Sequence, residues 1–147
     1  PFSAAWSYFC LAITLQDTGD RKRARECAEE ALRISQACNS KACEVLSRAQ
    51  LGNMVEEMTP AIIEAKEQQI RDGISILEDR KIKAHSAIGY LHLGEFLANA
   101  GRKEEALESL KKAESLYQEM EVTSESHWLT RTKDAIKKLT SSSAAAK

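Results

Sequence analysis

The chain has 147 residues, of which 43% are hydrophobic and 29% charged, with a formal net charge of −1. This balance excludes an intrinsically disordered chain, and the charge lacks the basic excess of a dedicated nucleic-acid binder. Two prolines, six glycines and no period-2 run rich in β-branched residues point to an all-α fold.

The N-terminal stretch PFSAAWSYFCLAITL is apolar, but it has no basic leader and no initiator Met. It is also too short to cross a bilayer. The missing Met raises the expectation of a piece of a longer chain. A helix is expected near 3–17 with two apolar faces. Tyr8, Leu11, Ala12 and Leu15 form one, which the following helix should cover. Phe2, Trp6, Phe9 and Ile13 form the other, which should meet an upstream repeat or a second copy of the chain, giving a homodimer through this helix.

Thr18-Gly19-Asp20 reads as a turn into a second helix near 21–37. Its run Arg21-Lys22-Arg23-Ala24-Arg25 is balanced by Glu26, Glu29 and Glu30, as on a solvated face. Cys10, Cys27, Cys38 and Cys43 show no paired metal-ligand spacing. They are expected as buried free thiols of a reduced, cytoplasmic protein. Leu51-Gly52 marks a third helix. Thr59-Pro60 is an N-cap followed by a first helical residue. The helix it starts, near 60–80, carries Ile63, Ile70, Ile74 and Leu77.

Ala87 to Gln118 reads as two helices hinged at Asn99-Ala100-Gly101. The first carries Tyr90, Leu93, Gly94 and Leu97, and the second Ala106, Leu110 and Ala113. A glycine inside a helix costs roughly 1 kcal/mol against alanine, so Gly94 implies a close helix approach, expected to be made to Ala106. Gly89 has no evident role. A last helix over 124–140 carries Trp128, Leu129, Thr132, Ile136 and Leu139. Arg131, Lys133, Asp134, Lys137 and Lys138 are assigned to its polar outer face. Residues 141–147, SSSAAAK, are expected to form a disordered tail.

The hairpin recurs. Tyr8, Leu11, Ala12, Leu15, Gly19, Ala24, Ala28 and Ala31 precede Tyr90, Leu93, Gly94, Leu97, Gly101, Ala106, Leu110 and Ala113 by a fixed 82 residues. Leu51-Gly52 precedes Leu93-Gly94 by 42, placing a middle repeat between them.

These spacings resemble the tetratricopeptide repeat, an aromatic-x₂-Leu-Gly-x₂-Tyr segment followed by Ala-x₃-Phe. Leu97 stands where that pattern has Tyr, Leu110 where it has Phe, and Gln118 where it has a terminal Pro. The resemblance implies an α-solenoid of antiparallel helix pairs in a right-handed superhelix. Its repeats would span 1–38, 40–80 and 83–120, with a capping helix at 124–140, in one domain over 1–140. The repeat exceeds the usual 34 residues, and in this it is similar to helical-repeat regions of multidomain signalling proteins such as nucleotide cyclases and ATPase-type transcription regulators.

By the same resemblance, the first helix of each repeat presents partner-binding positions, here Trp6, Phe9 and Ile13, then Ile88, Leu91, His92, Glu95 and Asn99. Repeats that grip the acidic tails of heat-shock chaperones use Lys and Asn at such places. Phe9, Ile13, Leu91 and Glu95 stand there instead, so an apolar or mixed ligand is expected. The competing reading is that these side chains pack on neighbouring helices. His85, His92 and His127 lack the HExxH arrangement, and no cysteine has an activating neighbour in sequence. No catalytic residue, cofactor or metal is therefore expected. The leading expectation is a protein- or peptide-binding scaffold within a larger signalling or regulatory chain, without nucleic-acid or membrane partners. A small-molecule sensor domain controlling an attached effector is the alternative.

Overall fold

The computed structural model describes residues 2–54, 57–121 and 126–145. Among them are seven α-helices and no strand: α1 (Phe2–Asp17), α2 (Arg21–Ala37), α3 (Lys41–Gly52), α4 (Pro60–Asp79), α5 (Lys83–Asn99), α6 (Lys103–Glu119) and α7 (His127–Ala145). The fold is the expected all-α helical repeat. α7 differs from expectation. It stays helical to Ala145, so the tail expected at 141–147 is helix as far as that residue. Positions 124, 125, 146 and 147 lie outside the described residues, as does the side chain of Phe2. The chain divides into two compact units, Pro1–Gly73 and Ile74–Lys147, with the boundary inside α4.

One turn geometry ends most of the helices. Gly19, Asn39, Lys81, Gly101 and Glu121 have φ values of 88°, 54°, 56°, 80° and 54°. Each is the left-handed residue just past a helix. At Gly101, its own N–H donates to the Ala98 carbonyl and the Arg102 N–H to the Leu97 carbonyl. This paired bonding satisfies two carbonyls that the helix end would otherwise orphan. The same pairs form at Gly19, Asn39 and Lys81. Helix starts are fixed by side chains in two places. Asp20 accepts from the Arg23 N–H, and Thr59 accepts from the Ile62 N–H, each at 3.3 Å. Thr59-Pro60 is thus the N-terminus expected, and such a cap is worth about 1 kcal/mol.

In the first unit, α1 packs along α2, and α3 packs on both. Small residues make the contact: Ala5 and Ala12 of α1 and Ala24, Ala28 and Ala31 of α2 are all fully buried. Gly73 of α4 packs against Val45 of α3, where an added Cβ would lie 2.5 Å from the valine Cγ1. The faces of α1 match expectation only in part: Ala12 is buried and Leu15 half-buried, as expected. Phe9 and Ile13 are buried, whereas Tyr8 and Leu11 remain 38% and 43% exposed. Two helices lie against α1, and the Tyr8–Leu11 edge is covered by neither.

In the second unit, α5 and α6 pair, and α7 lies on α6 and, less extensively, on α5. A Cβ on Gly94 would sit 2.5 Å from Leu110 Cγ and 3.2 Å from the Ala106 carbonyl oxygen. The expected approach of Gly94 to Ala106 is therefore present, with Leu110 wedged against it. Gly89 also gains a role. A Cβ there would meet Ile74 Cγ1 at 2.9 Å, so the glycine admits α4 against α5. The Tyr90 hydroxyl donates to Glu78 of α4 at 2.7 Å on the same side.

Replacing Gly94 by Leu should destabilise the second unit by about 1–3 kcal/mol through overpacking; thermal melts followed at Trp128, in a Trp6→Phe background, check this. Lys81 pays the left-handed strain that glycine avoids. Lys81→Gly should therefore stabilise the same unit by roughly 0.5–1 kcal/mol, read as a raised denaturant midpoint at unchanged slope.

Candidate partner-binding face

The eight expected partner-binding residues do not form an open lining. On α1, Phe9 and Ile13 are buried, and half-buried Trp6 places its ring 5.3 Å from that of Phe9. On α5, Ile88, Leu91 and His92 are buried, Glu95 is half-buried and Asn99 is exposed in the last turn. Burial at five of the eight corrects the expectation of an open surface. The physical reason is that both helices are enclosed on more than one side, α1 by α2 and α3 and α5 by α6 and α7.

On α5, one of those sides is taken by α7. Leu91 shares a cluster with Ala87, Leu110, Ala113, Leu116, Tyr117 and Leu129, flanked by Trp128, Ile136 and Leu139. Arg131 reaches across to Glu95, its Nε donating to Oε1 at 2.7 Å and its Nη2 to Oε2 at 3.4 Å. The two side chains are only 18% and 21% exposed. A forked, partly desolvated pair of this kind is stronger than a surface ion pair and fixes geometry as well as charge. Arg131 is thus not on the outer face assigned to it. Its signal lay in its spacing, one turn from both Trp128 and Ala135, at the margin of the apolar stripe.

His92 is 2% exposed and lies beside this pair, with Nδ1 3.9 Å from Glu95 Oε2. Burial first, and then the charge of Arg131, hold its pKa down from 6.5 to about 3. The imidazole is therefore neutral at neutral pH, and its approach to Glu95 is not an ion pair. At the matching place in the first unit, 42 residues earlier, stands Gln50 of α3, also fully buried. Neither atom of its amide has a hydrogen-bond partner among the described residues, nor has the nearby Ser47 hydroxyl.

The open edge of α1 carries Ser7, Tyr8, Leu11 and Thr14. Ser7 and Thr14 stand 82 residues before Gly89 and Phe96, which are buried in the second unit. Their hydroxyls donate to the carbonyls of Ser3 and Cys10 at 2.8 and 3.2 Å.

The cysteines are free; Cys43 is buried, but Cys10, Cys27 and Cys38 are half-buried and not fully enclosed as expected. Burial raises the pKa of the Cys10 and Cys43 thiols, the opposite of what a nucleophilic cysteine needs. No group of three or more His, Cys, Asp or Glu among the described residues could hold a metal ion. No helix among them is long and apolar enough to cross a membrane.

Close-packed helix hairpins, recurring at a fixed offset and ended by the same turn, define a helical-hairpin repeat protein. The repeats are tetratricopeptide repeats. Residues 5–37 match one tetratricopeptide-repeat family model and residues 87–120 another, and the chain is a tetratricopeptide-repeat protein. No curated protein matches the chain. Repeats of this family are in general non-catalytic modules for protein interaction.

The position of His92 makes the second unit acid-sensitive. Its folded pKa lies below the unfolded value, so the unfolded state takes up the proton first. Stability should be flat above pH 7 and fall by about 1.4 kcal/mol per unit as pH drops below 6.5 towards 3. His85, half-buried, is pushed in the same direction by burial. Urea unfolding followed at Trp128 should show this slope, and His92→Gln should leave only the smaller contribution of His85.

Proposed function

We propose that the chain is a protein- or peptide-binding scaffold module of a larger signalling or regulatory protein in the cytoplasm. The observation that carries this reading is the pair of tetratricopeptide-repeat hairpins at 5–37 and 87–120. The partner is protein and not nucleic acid. In support, three of the five basic residues of α2 are engaged locally, Arg23 with Asp20, Arg25 with Glu29 and Arg33 with Glu30.

The exposed edge of α1 is where an apolar partner gains most. Tyr8 and Leu11 are the large apolar side chains left exposed among the described residues, and a paired patch of this kind marks contact surfaces. A second copy of the chain is one such partner, giving a homodimer through α1. The small-molecule alternative calls for a closed pocket near His92, a side chain that is buried within its own unit.

Panning a displayed peptide library against the full chain tests the module reading. Enriched peptides should carry apolar side chains, and the double substitution Tyr8→Ser, Leu11→Ser should weaken them by at least about tenfold without altering the thermal melt. Enrichment indifferent to the substitution removes α1 from the site, and no enrichment at all sinks the reading. Sedimentation at rising concentration should show self-association that the same substitution abolishes.

A further inference from the structure

α5 carries five of the eight residues to which partner binding was assigned, and α7 lies against three of them. Leu129 packs in the cluster of Leu91, Arg131 forks onto Glu95, and the same guanidinium stands next to His92. Yet α7 is thinly anchored. Between 127 and 141 only Leu129 and Thr132 are buried. Trp128, Ala135, Ile136 and Leu139 are covered in part, and the remaining polar and charged side chains face solvent, apart from half-buried Arg131. α5, of similar length, buries ten residues. Helices with few buried apolar contacts are the ones that open locally, below the free energy of global unfolding.

Charge sets the character of what fits here. α7 bears Arg131, Lys133, Lys137 and Lys138 against Asp134 alone, whereas α6 bears five glutamates against three lysines. The surface beneath α7 therefore presents an apolar trough with Glu95 at its edge and a net acidic helix alongside. A basic amphipathic helix complements all of these features, and α7 is itself such a helix.

We propose that α7 is a displaceable, in-chain occupant of the partner-binding face of α5 and α6, and that the partner is a basic amphipathic helix of the same chemistry. Such a partner has an apolar stripe to replace Leu129, Ile136 and Leu139, and an arginine to take up Glu95. The proposal rests on the reading of the chain as a binding module and specifies one of its partners. The chain then holds its own face closed until a competing helix displaces α7.

Hydrogen exchange on the unmodified full chain tests the first half. Amides of α7 should exchange at least about a hundredfold faster than those of α5 and α6. Equal protection would make α7 a fixed part of the core and overturn the proposal. For the second half, the probe is a fluorescein-labelled peptide of residues 126–141, SHWLTRTKDAIKKLTS. It should bind a full chain carrying Leu129→Asp at least about tenfold more tightly than the unmodified chain. Adding Glu95→Arg should remove that gain, and the peptide carrying Arg131→Glu should restore it. Equal binding to the open and closed chains, or failure of the charge swap, overturns the proposal. If Leu129→Asp unfolds the second unit, the exchange experiment decides alone. A fixed α7 in a chain that still selects library peptides defeats the latch and leaves the module reading standing. A mobile α7 in a chain that selects none sinks the module reading, and the proposed partner with it.

Discussion

The structure depends on how closely the two helices of a hairpin approach. At Gly94 the distance to α6 leaves no room for a single methyl group, because Leu110 and the Ala106 carbonyl already fill the space. Alanines do the same in the first unit, where Ala12 stands against a helix whose Ala24, Ala28 and Ala31 are fully buried. Small residues on one stripe force the large apolar ones onto another. Leu91 packs both on α6 of its own hairpin and on Leu129 of α7, so the next helix completes the cover that the hairpin begins.

That division explains what the sequence makes legible. The hairpins are legible because the small residues, the aromatic positions and the turn glycines recur at fixed offsets. The identity of the covering helix is not. α1 is apolar on two sides, and helical periodicity cannot say which side a neighbour will take. The clue was polar: Ser7 and Thr14 flank Tyr8 and Leu11 at the positions that the second unit fills with Gly89 and Phe96. Hydroxyls satisfied by the carbonyl one turn back suit a face open to water. Arg131 was misread for a related reason. A charged residue on a helix is normally solvated, and its partner Glu95 lies 36 positions away, beyond any local pattern.

The buried polar side chains show a second strain within the same scheme. His92 is held neutral, and Gln50 hides an amide with no hydrogen-bond partner among the described residues. An unsatisfied buried polar group costs on the order of 1–3 kcal/mol. The two buried polar side chains stand 42 residues apart, and His92 adjoins the contact between α5 and α7.

The left-handed turn residues have a consequence for how such a chain can change in length. Gly19 and Asn39, Lys81 and Gly101, and Gly101 and Glu121 are each 20 residues apart, and in each the left-handed residue's own N–H donates to the carbonyl three residues back. The joint is made almost entirely by main-chain groups, so it works with glycine, asparagine, lysine or glutamate. A segment copied or lost between two joints keeps both of its ends chemically valid. The twenty-residue helix-plus-turn is therefore a length that the chemistry of the joint alone allows to be added or removed.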